Sequence, residues 1–187
     1  MELAKHKGVQ IMMRLLQNCY EFEQRLFKKV NRHFDKKAIN LLFRVITRIG
    51  GATFTIGVVV LLMIFSHNPV RQIAIYSAIS LAISHLPVQV LKKLYPRKRP
   101  YITLEDTRFH SNPLKDHSFP SGHTTAVFSI IIPFVIFIPA LSYILIPIGV
   151  LVGISRMYLG LHYPSDVMAG AILGSFSGFL TYYLFHF

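Results

Sequence analysis

The chain has 187 residues, 52% of them hydrophobic, and a formal net charge of +12. That length suits one domain, yet a mean hydropathy of +0.46 is too high for an ordinary soluble one. No nucleic-acid motif accompanies the basic charge, and the basic residues cluster beside apolar runs, so the expected partners are anionic lipid or an anionic substrate and not nucleic acid.

In chain order, residues 1–48 come first. Leu15, Cys19, Phe22, Leu26, Val30 and Phe34 recur at helical spacing, with Arg14, Glu21, Glu23, Arg25, Lys28, Lys29 and Arg32 between them. The pattern predicts an amphipathic helix, either lying on the membrane surface or packing on the protein's own core. Cys19 is the only cysteine, which excludes an intrachain disulfide and a Cys-rich metal site. The opening residues lack a secretory-signal pattern, so insertion is expected to use the first spanning helix.

Five apolar segments then follow, each near the ~20 residues that a spanning helix needs. They are Ile49–Ser66, Gln72–Leu91, about His123–Pro139, about Ala140–Ile154 and Val167–Phe185. The expected fold is an all-α integral-membrane bundle of about five transmembrane helices plus the N-terminal amphipathic helix. It divides into an amphipathic segment at 1–48 and a transmembrane domain at 49–187. Gly170, Gly174 and Gly178 on the fifth segment mark a face for close helix packing inside the bundle, with a homodimer contact as the weaker alternative. His85 and Gln89 are polar within the second span, where an interhelical hydrogen bond is expected.

The chemistry lies between the spans. "KKLYPRKRPYITLEDTRFH" follows the second, "DHSFPSGHTT" precedes the third, and "SRMYLGLHYPSD" precedes the fifth. Two spans separate the last two clusters, so they return to one membrane face. A loop joins the first cluster to the second. All three can therefore meet at one end of the bundle. Together they supply Lys92, Arg99, Ser121, Gly122, His123, Arg156, His162 and Asp166, a set suited to phosphoryl transfer, which depends on positioning and electrostatic stabilisation. Arginine forks and a lysine match phosphoryl oxygens. Ser121 and Gly122 precede a helix N-terminus whose free N–H groups attract anions, and Gly122 admits a close approach. Asp166, four residues after His162 and just past Pro164 in a first helical turn, can orient that imidazole as a nucleophile. His123 has no nearby carboxylate in sequence, which favours it as the general acid.

The spacing Lys92-x6-Arg99-Pro100, then Pro120-Ser121-Gly122-His123, then Ser155-Arg156-x5-His162-x3-Asp166 resembles the three-part signature of the type 2 phosphatidic acid phosphatase superfamily. The resemblance covers roughly Lys92 to Asp166. It implies a metal-independent phosphatase of membrane lipid phosphates that needs no cofactor. His162 would form a phosphohistidine supported by Asp166. Lys92, Arg99, Arg156, Ser121 and the Gly122 backbone would hold the phosphoryl oxygens. His123 would protonate the leaving alcohol. Phosphatidic acid, phosphatidylglycerophosphate and undecaprenyl diphosphate are all admitted as substrates. A lipid phosphotransferase and a non-enzymatic binder or transporter of anionic lipid are the alternatives.

Other loop residues receive weaker assignments. Lys93, Arg97 and Lys98 are expected to face lipid headgroups. Asp106, His110, Asp116 and His117 fit no familiar metal spacing even with His123, and are expected to shape substrate access. The location is a cell membrane, crossed several times. Its orientation stays open: eleven Lys and Arg residues in positions 1–48, against Arg71 alone after the first span, favour a cytoplasmic N-terminus and site. The family resemblance favours a site facing outward.

Overall fold

Apolar residues at nearly every position of a long segment leave a chain no option in a bilayer but to satisfy its backbone internally, as helix. The computed structural model describes residues 2–109 and 116–185, with side chains from residue 10 onward, and these residues are helical almost throughout. The helices are α1 (Glu2–Asn31), α2 (Lys37–Ile49), α3 (Ala52–Phe65), α4 (Val70–Leu94), the short α5 (Pro100–Thr103), α6 (Gly122–Phe137), α7 (Ser142–Tyr158) and α8 (Pro164–Phe185). A 3-10 turn, Pro139–Leu141, leads into α7.

All five apolar segments are helical, with shifted bounds. Val70–Leu94, Pro139–Tyr158 and Pro164–Phe185 are long and apolar enough to cross a membrane. The first segment falls mainly on α3, and Lys37–Ile49 and Ala52–Phe65 are long and apolar enough to cross a membrane only together, as a pair bent by 52° in the manner of a broken span or a re-entrant loop. The break falls at Gly50–Gly51 for a packing reason: a Cβ on Gly50 would lie 2.8 Å from Val152 Cγ1 and 2.9 Å from His123 Cβ. α6 is shorter, at 16 residues. It runs up the middle of the bundle, with α8 and α4 on one side and α7 on another. Val127, Phe128, Ile131 and Val152 form the core where α6 meets α7. The outward sides of α4, α7 and α8 expose Leu86, Val90, Tyr143, Ile172 and Phe176, an apolar surface fit for lipid.

The α6–α8 contact depends on the glycine stripe. A Cβ on Gly170 would lie 2.6 Å from Ser121 O, one on Gly174 2.4 Å from Thr125 O, and one on Gly178 2.7 Å from Ile132 Cβ. The two backbones therefore approach as closely as they do only because these side chains are absent. This close approach also holds the first turn of α6 beside the first turn of α8.

The N-terminal region forms two helices, and α1 docks on the bundle by its C-terminal end. Phe27 and Asn31 are buried there, and of the predicted stripe Val30 and Phe34 are half-buried, Phe34 stacking on the Tyr158 ring, whereas Leu15, Cys19, Phe22 and Leu26 remain exposed. Asn31 supplies the specific contacts: its Nδ2 donates to Tyr158 O and Arg108 O, each at 2.8 Å, and its Oδ1 accepts from Arg108 N at 2.8 Å. α1 thus packs against the end of the bundle where α7 stops and α8 starts.

Gly174→Leu would drive a side chain into the Thr125 backbone and is expected to destabilise the fold by on the order of 3 kcal/mol or more. Gly57 on α3 faces open space, so Gly57→Ala is expected to be neutral or stabilising by up to ~1 kcal/mol. Thermal unfolding midpoints in detergent check both, and a tolerated Gly174→Leu would contradict the packing described.

Candidate active site

The turn between α7 and α8 is where the site is assembled. Gly160 has φ +77°, and a Cβ there would lie 2.6 Å from Arg108 O. Its N–H bonds to Met157 O, and the Leu161 N–H bonds to Arg156 O, both at 3.0 Å. This is a Schellman termination, which needs a left-handed residue after the last helical turn. The reversal brings His162 back over the end of its own helix, so that its N–H reaches Arg156 O at 3.3 Å. Pro164 then opens α8 at the position where a missing N–H costs nothing.

Asp166, in the first turn of α8, is fully buried and works first as a cap. Its Oδ2 accepts the Tyr163 N–H at 2.8 Å and the Ser118 hydroxyl, while its Oδ1 accepts Arg97 Nη1 at 2.9 Å. The His162 Nδ1–Asp166 Oδ2 separation is 3.6 Å, longer than a hydrogen bond. The expected His162–Asp166 bond is therefore not closed, because the facing oxygen already serves two other donors. Nδ1 is nonetheless buried with no hydrogen-bond partner among the described residues. A small ring rotation would engage it, as catalytic hydrogen bonds often tighten only on ligand binding.

The other face of the imidazole meets Arg99. Arg99 Nη1 donates to His162 Nε2 at 3.1 Å and to Leu161 O at 2.8 Å. Since a guanidinium only donates, Nε2 must present its lone pair there, and the proton sits on Nδ1. Arg99 Nε donates to Asp116 O at 2.8 Å and Nη2 to Asp116 Oδ1 at 2.6 Å. The second Asp116 oxygen is paired with Lys92. Asp116 thus bridges two of the predicted phosphate ligands. Burial opposes its ionisation, but the hydrogen bond from Lys92 and the charges of Arg99 and Lys92 outweigh that and hold its pKa at about 2.

Arg156 is 3% exposed. Its Nη1 donates to Thr47 Oγ1 at 2.8 Å, while its Nε and Nη2 have no partner among the described residues. Ser121 N–H donates to Asp166 O at 3.0 Å, which ties the start of α6 to the start of α8. The Ser121 hydroxyl lies 2.9 Å from Thr124 Oγ1. A Cβ on Gly122 would meet nothing within 4 Å, so the space beside this glycine is left open by the protein. His123 lines a cavity with Gly122 and Lys92 and lies within electrostatic reach of Arg156, His162 and Arg99.

All eight residues singled out in the sequence therefore gather at one end of the bundle. Several partners were not anticipated. Arg97 does not face headgroups: it pairs with Asp166 and Glu23, and its guanidinium stacks 3.9 Å from the Tyr163 ring centroid. Glu23 in turn accepts the Ser165 N–H at 3.0 Å, satisfying one of the free donors at the start of α8. Thr47 and Ser118 are likewise site neighbours. No spacing rule links Glu23 or Thr47 to the turn between α7 and α8, because each arrives from a remote helix. Among the described residues no cluster of three metal-ligating side chains forms. Asp106 and His117 are exposed, Lys93 and Lys98 are also exposed, and His110 lies outside the described residues.

Burial pushes the His162 pKa down, and the charges of Arg156 and Arg99 push it the same way. Asp166 only partly opposes them, and the result is about 4. The ring is thus neutral at physiological pH, and protonation, which would remove the Nε2 lone pair, is delayed until the pH falls through that value. Nitrogen NMR of histidine-labelled protein in detergent, assigned with His162→Gln, is expected to show this ring titrating near pH 4. A midpoint near 6.5 would contradict the buried, cation-flanked setting.

A sequence profile of the PAP2 superfamily matches residues 73–187. The chain is 34% identical over 161 residues to an undecaprenyl-diphosphatase of Sulfolobus acidocaldarius, covering 86% of this chain and 77% of that one. Its fold is similar to that of LpxE from Aquifex aeolicus (TM-score 0.76, 26% identity, 84% of this chain and 93% of the other). It is also similar to a transmembrane PAP2-type phosphatidylglycerolphosphate phosphatase from Bacillus subtilis (TM-score 0.73, 26% identity, 89% and 86% covered). With the profile covering more than half of the residues, and its signature residues drawn to one end of a helical membrane bundle, the chain belongs to the PAP2 superfamily.

Proposed function

We propose that this protein hydrolyses the terminal phosphoryl group of a membrane lipid phosphate through a phosphohistidine on His162. It is a phosphatase embedded in a cell membrane that it crosses several times, and the exposed apolar stripe of α1 lies on the membrane surface. The observation that carries the reading is the setting of the His162 imidazole. Its Nε2 faces Arg99, and buried Arg156, in the last turn of α7 just before it, has an Nε and Nη2 without partners among the described residues.

The terminal phosphate takes over the donors of Lys92 and Arg99 that Asp116 engages in the resting protein, and adds those of Arg156. Ser121 and the Gly122 backbone complete the cradle. Three cations of the chain offset the charge of the phosphoryl group, the electrostatic work on which phosphoryl transfer depends. His162 Nε2 attacks phosphorus while Asp166 takes up the Nδ1 proton's charge as the ring becomes positive. The phosphorus–oxygen bond to the lipid breaks, and that oxygen receives a proton from His123. Water, deprotonated by His123, then attacks phosphohistidine and releases inorganic phosphate. Undecaprenyl diphosphate and phosphatidylglycerophosphate enter as candidate substrates because the relatives act on them by name.

The test is inorganic phosphate release from a panel of lipid phosphates in detergent, with and without EDTA. Release is expected to persist in EDTA. His162→Ala is expected to reduce turnover by roughly three orders of magnitude or more and to abolish an acid-labile phosphoprotein. His123→Ala is expected to cost roughly 10²–10⁴-fold. Full activity in either folded variant would refute the role assigned to it.

A further inference from the structure

The cavity that reaches Lys92, Gly122 and His123 runs on between α3, α4 and α6, with a volume of about 710 Å³. Its walls are mostly apolar, with Val59 and Met63 from α3 facing Ala78 and Leu81 from α4. Besides Lys92 at its end and Ser84, whose hydroxyl bonds to Leu81 O, the α4 wall carries the polar side chains of His85 and Gln89. The interhelical bond expected of them does not form. Gln89 Nε2 instead lies 3.2 Å from His85 Nε2, one turn away on the same helix, and both side chains are exposed. A polar pair in the wall of a mostly apolar cavity, bonded only to each other, calls for a ligand. With one amide hydrogen of Gln89 directed at His85 Nε2, the second amide hydrogen and the His85 Nδ1–H stay available as donors.

Position says which ligand. His85, Gln89 and Lys92 stand at i, i+4 and i+7, on one face of α4. Gln89 is therefore about 4.5 Å along the axis from Lys92, and His85 about 10.5 Å. A substrate whose terminal phosphate lies among Lys92, Arg99 and Arg156 places its next group at this level, before its hydrocarbon begins. We propose that Gln89 and His85 form a second phosphate subsite that takes the lipid-side phosphate of a lipid diphosphate, with the hydrocarbon chain following the apolar cavity between α3 and α4. The inference rests on the phosphohistidine reading. His162 Nε2 bonds to the terminal phosphorus, and the bond from that phosphorus to the bridging oxygen breaks. The lipid monophosphate leaves with that oxygen, protonated by His123; water then cleaves the nitrogen–phosphorus bond and frees inorganic phosphate. Donors on the lipid-side phosphate stabilise charge that develops on the leaving group. A lipid monophosphate offers only an alcohol oxygen at the same place, so the subsite selects diphosphates.

The experiment compares farnesyl diphosphate with farnesyl monophosphate, which share one tail, using the full-length protein in detergent. In Gln89→Leu and His85→Leu, the diphosphate-to-monophosphate ratio of kcat/KM is expected to fall roughly tenfold or more, because donors to a charged oxygen are lost. Gln89→Glu, which sets a like charge against the phosphate, is expected to lower it further. A ratio within about twofold of the parent in both leucine variants overturns the subsite, whether the two rates drop together or not at all. His162→Ala separates the two readings. If it retains turnover the phosphohistidine fails; if it is inactive while the ratio is unmoved in the leucine variants, the subsite alone fails.

Discussion

The guanidinium of Arg99 is 1% exposed and bonded in three directions at once. It holds the Asp116 backbone and carboxylate, the Leu161 carbonyl and His162 Nε2. Leaving a buried charge without its hydrogen bonds is costly, so these partners are constrained together. The loop entering α6 and the turn entering α8 cannot move apart without stranding an arginine. The same bonds choose the histidine tautomer. A group that can only donate, placed against Nε2, fixes that nitrogen as a lone-pair bearer. Fold stability and chemical readiness are here consequences of one interaction.

Asp166 shows how a single carboxylate serves both structure and site. It caps the Tyr163 N–H, accepts Ser118 and pairs with Arg97. Through Arg97 it is linked to Glu23, and so to α1, a helix that lies outside the apolar bundle. Glu23 also takes the Ser165 N–H at the start of α8. The N-terminal helix is therefore a structural wall of the end where the candidate site gathers, braced by Phe27 and Asn31, while Leu15, Cys19, Phe22 and Leu26 of its apolar stripe are left on the outside.

The cavity links the two environments that a lipid phosphate must occupy. One end is cationic, at Lys92; the other is hydrocarbon-like, between α3 and α4. Gly50 lines this cavity with His123, and the α2–α3 corner closes against His123 only because no side chain stands at Gly50. Specificity for the part of the substrate nearest the scissile bond then falls to the few polar groups in that apolar wall.

Helix content, membrane character and the gathering of eight polar residues at one end of the bundle were legible in the sequence. Unbroken apolar runs force helix in a bilayer, and a charge at the end of a span needs a reason to be there. The return of "PSGH" and "SRMYLGLHYPSD" to one face followed from counting spans between them. Other features were not legible, because each depends on which helix faces lie side by side. Whether α1 would present Leu15 and Phe22 or Phe27 and Asn31 to the bundle was decided by contacts with Tyr158 and Arg108. Arg97 reads like its neighbours Lys93 and Lys98 until Glu23 and Asp166 arrive from other helices to claim it. His85 and Gln89 look like an interhelical pair until α3 is seen to leave them facing a cavity. The sequence by itself determined the elements and the chemical inventory, because backbone satisfaction and charge burial act locally. Only the tertiary structure decided which charges are paired, which nitrogen is free and where the substrate's tail can run, because those depend on distances between segments far apart in the chain.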